Sequence, residues 1–218
     1  PGIALGRLSA EVTELKRRRI LQGETTLYIT PKALHIKLWG EWWERYGEVR
    51  SLDQLLDGLP PTLRLWFMDM FRYAKQSGVA RRIVASLLGP DGSFAQTSLL
   101  ATASGAEAFR VLAMSSPGDA LACLERVLDA QSSEDLRGAT ANRRSLVWTL
   151  ERIAMWRAFF VRAARLLQRL ALAENELHIS NNATGVFCDL FSLARGEVAP
   201  TEAPPDVRLP LLETLLNQ

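Results

Sequence analysis

From residue 51 to the end of the chain, apolar residues recur every three or four positions, in segments of about 10 to 18 residues. That period lays one apolar stripe along an α-helix, and it does not fit a strand, whose faces alternate every second residue. Clusters of Pro, Gly, Asp, Asn or Ser interrupt the pattern at 58–61, 77–78, 89–93, 104–105, 115–119, 131–142, 175–182 and 195–206. So many short helices in closely spaced pairs exceed what one up-down bundle core can hold, and they predict stacked helical hairpins of the HEAT or TPR kind. Ser116-Pro117-Gly118-Asp119 ahead of Leu121, Leu124 and Leu128 is echoed by Ala203-Pro204-Pro205-Asp206 ahead of Leu209, Leu212 and Leu216. The echo reads either as an internal repeat or as shared helix-start chemistry.

The first 50 residues differ. Leu5, Leu8, Val12, Leu15 and Ile20 predict a helix running to about Arg19, and its basic end, Lys16, Arg17, Arg18 and Arg19, offsets the negative pole of the helix dipole. Ile20–Thr30 is β-branched and aromatic around Gly23, which predicts a short hairpin with that glycine at its tip. Pro31 then opens a helix with Leu34, Leu38, Trp42 and Tyr46 on one face, and Gly47 ends it. Helix, small hairpin, helix is the order of the latter part of a winged-helix unit. The expected fold is therefore mainly α, with a partial winged-helix unit over 1–50 and an α-helical repeat-like domain over 51–218.

Composition narrows the class. Hydrophobic residues make up 48% and charged residues 23% of 218, a balance that supports a packed core and excludes a disordered tail. A net charge of +2 does not by itself indicate a nucleic-acid binder. The cations are 22 Arg against 4 Lys, an excess that reflects either coding bias or selection for forked donors. Cys123 and Cys188 sit in apolar helical patterns, so both are expected as buried thiols in a reducing compartment, the cytoplasm. No apolar run is long enough to span a bilayer, and no membrane association is expected. The chain begins Pro1-Gly2 without a methionine and is read as a piece of a longer protein.

Hydrolysis or group transfer needs a nucleophile with a base, a metal cluster or a phosphate cradle. His35 and His178 have no second ligand at metal-binding spacing, and no GxxxxGK[ST] or strand-linked GxGxxG loop is present. Glu174 and Glu176 flank Asn175 and are read as solvated charges at a helix end. The expectation is no catalytic residue, no cofactor and no metal, hence not an enzyme.

Binding surfaces are the alternative. Lys16, Arg17, Arg18 and Arg19 precede the wing, where a DNA reader places charge near phosphates, or they only complete the helix dipole. Trp39, Trp42, Trp43 and Tyr46 share a broad face with Leu38 and are expected to pack the wing against the helical array. A helix from about Arg157 to Ala173 buries Trp156, Phe159, Phe160, Ala163, Leu166, Leu167 and Leu170, with Arg162, Arg165 and Arg169 as a stripe beside them. That stripe is the candidate partner-binding site for an acidic protein segment or nucleic acid, or else a solvated face whose stems shield the core. Asn181-Asn182-Ala183-Thr184-Gly185 should join two antiparallel helices, with Ser180 or Asn181 as N-cap, and its glycosylation tripeptide is a chance match.

Leu27-Tyr28-Ile29-Thr30-Pro31-Lys32-Ala33-Leu34-His35-Ile36, with Leu172-Ala173-Glu174-Asn175 and Asn181-Asn182-Ala183-Thr184-Gly185, resembles the region after the nucleotide-binding core of large bacterial STAND-type NTPases. These are signalling ATPases related to the NACHT class, several of them antiphage-defence proteins. The resemblance spans most of the chain through motifs that are structural. It implies a winged-helix remnant and a helical sensor or scaffold whose partner is a protein or the rest of the parent chain. The family's phosphate loop and acidic metal-binding strand have no counterpart here, so no catalytic residue carries over. The alternative is a winged-helix DNA-binding regulator with a helical partner domain, and a third class, an uncharacterised enzyme, lacks the residues above.

Overall fold

Helix-period spacing is realised along nearly the whole chain in the computed structural model, which describes residues 4–49, 51–138, 143–192 and 199–217. Pro1, Gly2 and parts of the expected breaks at 131–142 and 195–206 lie outside the described residues. Helix α1 (Leu5–Arg17) leads into strands β1 (Leu21–Gln22) and β2 (Tyr28–Ile29), followed by α2 (Lys32–Tyr46), α3 (Leu52–Asp57) and α4 (Pro61–Asp69). A 3-10 segment, Met70–Gln76, joins α4 to α5 (Gly78–Leu88), and a second, Ser93–Ala95, precedes α6 (Thr97–Leu100). The remainder is α7 (Ala103–Ser115), α8 (Pro117–Asp129), α9 (Ser133–Gly138), α10 (Arg143–Ala154), α11 (Phe160–Leu172), α12 (Ala183–Leu190) and α13 (Pro205–Leu216).

Local chemistry sets these boundaries. Ser51, Ser77, Thr102 and Asn182 each accept a hydrogen bond from a backbone N–H in the first turn of the following helix. Pro61, Pro117 and Pro205 stand in first turns, where the missing amide has no intrahelical acceptor to lose. The cap of α12 is thus Asn182, one or two residues later than expected from Ser180 or Asn181. The hairpin is antiparallel, Leu21 opposite Ile29 and Gln22 opposite Tyr28. Gly23 holds φ +98°, and a Cβ there would lie 1.9 Å from the Thr26 carbonyl oxygen, so only glycine makes this turn.

One apolar cluster runs from Trp39 in α2 to Leu215 in α13. Trp43 is fully buried, with Phe71 at 5.4 Å and Phe67 at 6.0 Å between ring centroids, while Trp39 meets Phe71 edge-on at 5.4 Å. The tryptophan face therefore seats α2 on the helical body, but Leu38 is exposed and lies off that face. Helix α11 is central. It packs on α10 and α12, and also meets α8, α9 and α13. It begins at Phe160 and not near Arg157, which leaves Trp156 half exposed outside the buried face.

Two further expectations change. Cys123 is buried and donates to the Phe94 carbonyl at 3.4 Å, whereas Cys188 is exposed. Leu121, Leu124 and Leu128 are buried, but the matching positions in α13 are Arg208, Leu211 and Leu215, and Leu209 is exposed. Aligning Asp119 with Asp206 brings the two buried faces into register, one residue away from the leucine spacing of the sequence.

Candidate functional site

The arginine stripe on α11 is divided by its neighbours. Arg162 forks onto Glu125, with Nε donating at 2.7 Å, and Arg169 donates to the Asp129 carboxylate at 2.6 Å and to the Gln131 carbonyl. Glu125 and Asp129 are four residues apart on one face of α8, so these pairs tie α11 to α8. Arg165 is exposed and has no side-chain hydrogen bond or ion pair among the described residues.

The basic cluster at the end of α1 is also partly engaged. Arg17 forks onto Glu14 and the half-buried Lys16 lies 3.6 Å from Glu24 across the hairpin, with Arg17, Glu14 and Glu24 exposed to solvent. Arg18 caps the helix, and Arg19 takes φ 58°, the left-handed turn that redirects the chain into β1. The structure keeps this cluster far along the chain from the α11 stripe and gives the two no shared contact among the described residues.

An apolar groove of about 710 Å³ lies between α7, the start of α8 and the end of α10. Its floor is Ala113, Ile153 and Pro117, and Met114, Met155 and Trp156 line it while remaining roughly half exposed. The segment 199–203 closes one side: Thr201 donates to the Ala154 carbonyl at 2.7 Å, and the Glu202 amide donates to the Met155 carbonyl at 2.7 Å. Arg110 and Arg152 stand at the rim. The hydrogen bond from Arg110 holds Glu107 below the usual carboxylate range against its partial burial, and Arg72 and Arg152 add to the same effect. Arg110 is thereby paired with Glu107, so the charges left at the groove are Arg152, which has no ion pair among the described residues, and Glu202. Sequence reading missed this groove because Met114, Met155 and Trp156 come from separate helix ends that only tertiary packing brings together.

A second feature was missed for another reason. Arg143, just beyond the expected break at 131–142, is buried at the start of α10 beside Glu174, and Glu174 itself is no solvated end charge. Burial raises the Glu174 pKa, but N–H donors from Glu176, Asn175 and Thr184 together with Arg143 outweigh it and leave the carboxyl below its usual range. Burial pulls the Arg143 pKa down, opposed by Glu174 and Glu176.

Among the described residues no group of three or more His, Cys, Asp or Glu is arranged to hold a metal ion. His35, on α2, has its pKa lowered by partial burial and by Lys32, and His178 is exposed in the loop before α12. Among the described residues no helix is long and apolar enough to cross a membrane. Comparison with known protein families, curated proteins and solved structures finds no match to this chain.

Proposed function

We propose that this chain is a non-catalytic helical interaction module that receives an amphipathic, acidic-flanked protein helix in the groove between α7 and α10. The observation that carries the reading is the continuous apolar groove lined by half-exposed Met114, Met155 and Trp156 with Arg152, which has no ion pair among the described residues, at its rim. Tryptophan supplies a rigid anchor of large area, methionines adapt to the partner's side chains, and Arg152 at the rim favours a carboxylate flanking an apolar face.

The finer architecture is part of the same proposal: a winged-helix remnant over 1–50, then stacked helical hairpins. Its support is the order helix, hairpin, helix over residues 5–46 and the packing of successive pairs such as α10 with α11 and α11 with α12. The resemblance to STAND-type NTPases adds a parent: a cytoplasmic signalling ATPase whose nucleotide chemistry resides in another segment and whose sensor or scaffold is this module. The DNA-regulator reading has less to stand on, since Arg17 and Lys16 already face Glu14 and Glu24.

Selection from a library of displayed helical peptides tests the groove. Enriched peptides should share an apolar face with acidic flanks and should lose binding to Met155→Glu and Trp156→Ala while keeping it to Trp66→Ala, an exposed tryptophan of α4 outside this groove. Enriched peptides that bind all three variants equally, or an unenriched library, would sink the reading.

A further inference from the structure

Helix α1 carries an apolar stripe whose first half no described residue covers. None of its residues is buried, its main neighbour is β1, and Leu5 and Leu8 are 81% and 47% exposed. Toward the hairpin, Val12 and Leu15 become half-buried. The four residues follow one another at intervals of three, four and three, which places Leu5 and Val12 at a and Leu8 and Leu15 at d of two successive heptads.

The flanking charges specify more than a greasy stripe would. In that register Glu11 falls at g and Lys16 at the following e, five residues later. In a parallel two-stranded coiled coil a g residue of one helix faces the next e residue of the other, so Glu11 would meet Lys16 of a second copy, twice by symmetry. Of the two a positions, Val12 with Leu15 at the following d is the pairing that favours two strands. An antiparallel pair would instead bring g residues of both copies together, setting Glu11 near Glu11. Glu11 has no ion pair among the described residues, and Lys16 reaches only the exposed Glu24 at 3.6 Å. Arg17, on the outer face, is neutralised by Glu14 and so does not crowd the pair.

We infer that α1 is a self-association element: two copies of this chain pair through α1 in parallel, with Leu5, Leu8, Val12 and Leu15 as the seam and Glu11–Lys16 contacts setting the register. Two heptads make a short seam, so the dimer is weak and concentration-dependent in isolation. Helix α1 contributes no residue to the groove between α7 and α10, and the inference does not depend on what that groove binds.

Sedimentation equilibrium of the full chain, run up to about 1 mM, reads the association directly. The expected result is a monomer–dimer equilibrium that Leu8→Asp weakens at least about tenfold with unchanged circular dichroism. Glu11→Lys and Lys16→Glu alone should each weaken it, and the two together in one chain should restore it. Leu8→Cys in a Cys188→Ser background should form an intermolecular disulfide under mild oxidation, because parallel pairing sets position 8 against its own copy. A monomer at every concentration overturns the inference, as does a dimer whose Leu8→Cys form does not cross-link or whose charge swap does not restore it. Binding of phosphatidylserine vesicles lost in Leu8→Asp, without any dimer, would assign the stripe to a membrane surface and overturn it equally.

Discussion

Arg143 and Glu174 face each other 3.8 Å apart with 2% and 6% of their side-chain surfaces exposed, and between them they close the ends of three helices. Arg143 donates to the Leu136 carbonyl at 2.7 Å near the end of α9, and to the Leu170 and Ala173 carbonyls at the end of α11. Glu174 accepts from the amides of Asn175 and Glu176 at 2.9 Å and from Thr184 at 3.3 Å in the first turn of α12. A cation on helix C-termini and an anion on a helix N-terminus each complement the local dipole, so the pair joins α9, α11 and α12 at one point.

Removing one partner of such a pair leaves the other charged and buried. Arg143→Met should therefore destabilise the chain by about 3–5 kcal/mol, because Glu174 loses its cation and three carbonyls lose their donor. Arg143→Lys should fall between, since one ammonium cannot reach all three carbonyls in the plane of a guanidinium. Urea unfolding measures both, and an unchanged midpoint in Arg143→Met would contradict the assignment.

Glu174 also sets an acid limit. Its folded pKa lies below its unfolded value, so the stability it contributes is fully present above that value and is lost as pH falls through the folded pKa. Thermal melts should decline below about pH 4.5 in the wild type, and Glu174→Gln should flatten that part of the profile while lowering stability at neutral pH. Parallel acid profiles for the two proteins would show that other carboxylates govern the transition.

The same residues explain what sequence could and could not reveal. Gly23 and Gly47 were legible because their roles are local: Gly23 needs a positive φ, and a Cβ on Gly47 would come within 2.5 Å of the Trp43 ring. Helix periods were legible because each stripe is written within one segment. Arg143, Arg126 and Arg208 were not, since each donates to carbonyls near the end of another helix: Leu136 and Leu170, Leu88, and Leu190. An arginine that caps another helix looks the same in sequence as one in solvent. The abundance of arginine over lysine thus has a structural use, because a guanidinium can serve several carbonyls at once.

Glu151 is the opposite case to Glu174. Partial burial on α10 and the nearby Asp189 on α12 raise its pKa, with Arg152 only partly offsetting them. A raised carboxylate pKa means that ionisation costs stability, so the loss sets in as pH rises through the unfolded value and is complete above the folded one. Glu151→Gln should raise the melting temperature at pH 7 and leave it unchanged near pH 3. An equal effect at both pH values would point to packing instead of charge.

The three arginines of α11 should separate in the same kind of measurement. Arg162 and Arg169 each hold a carboxylate of α8, but these pairs are partly exposed, and such pairs contribute about 0.2–1 kcal/mol. Arg162→Gln and Arg169→Gln should each lower stability within that range, and the double mutant cycle of Arg162 with Glu125 should return a coupling of similar size. Arg165→Gln should leave stability unchanged, because no side-chain partner is lost among the described residues. If the stripe serves the fold, peptides selected on the groove bind all three variants as they bind the wild type. If Arg165→Gln weakens that binding while the protein stays folded, the contact surface extends from the groove across α11, and Arg165 is the member of the stripe that reaches the partner.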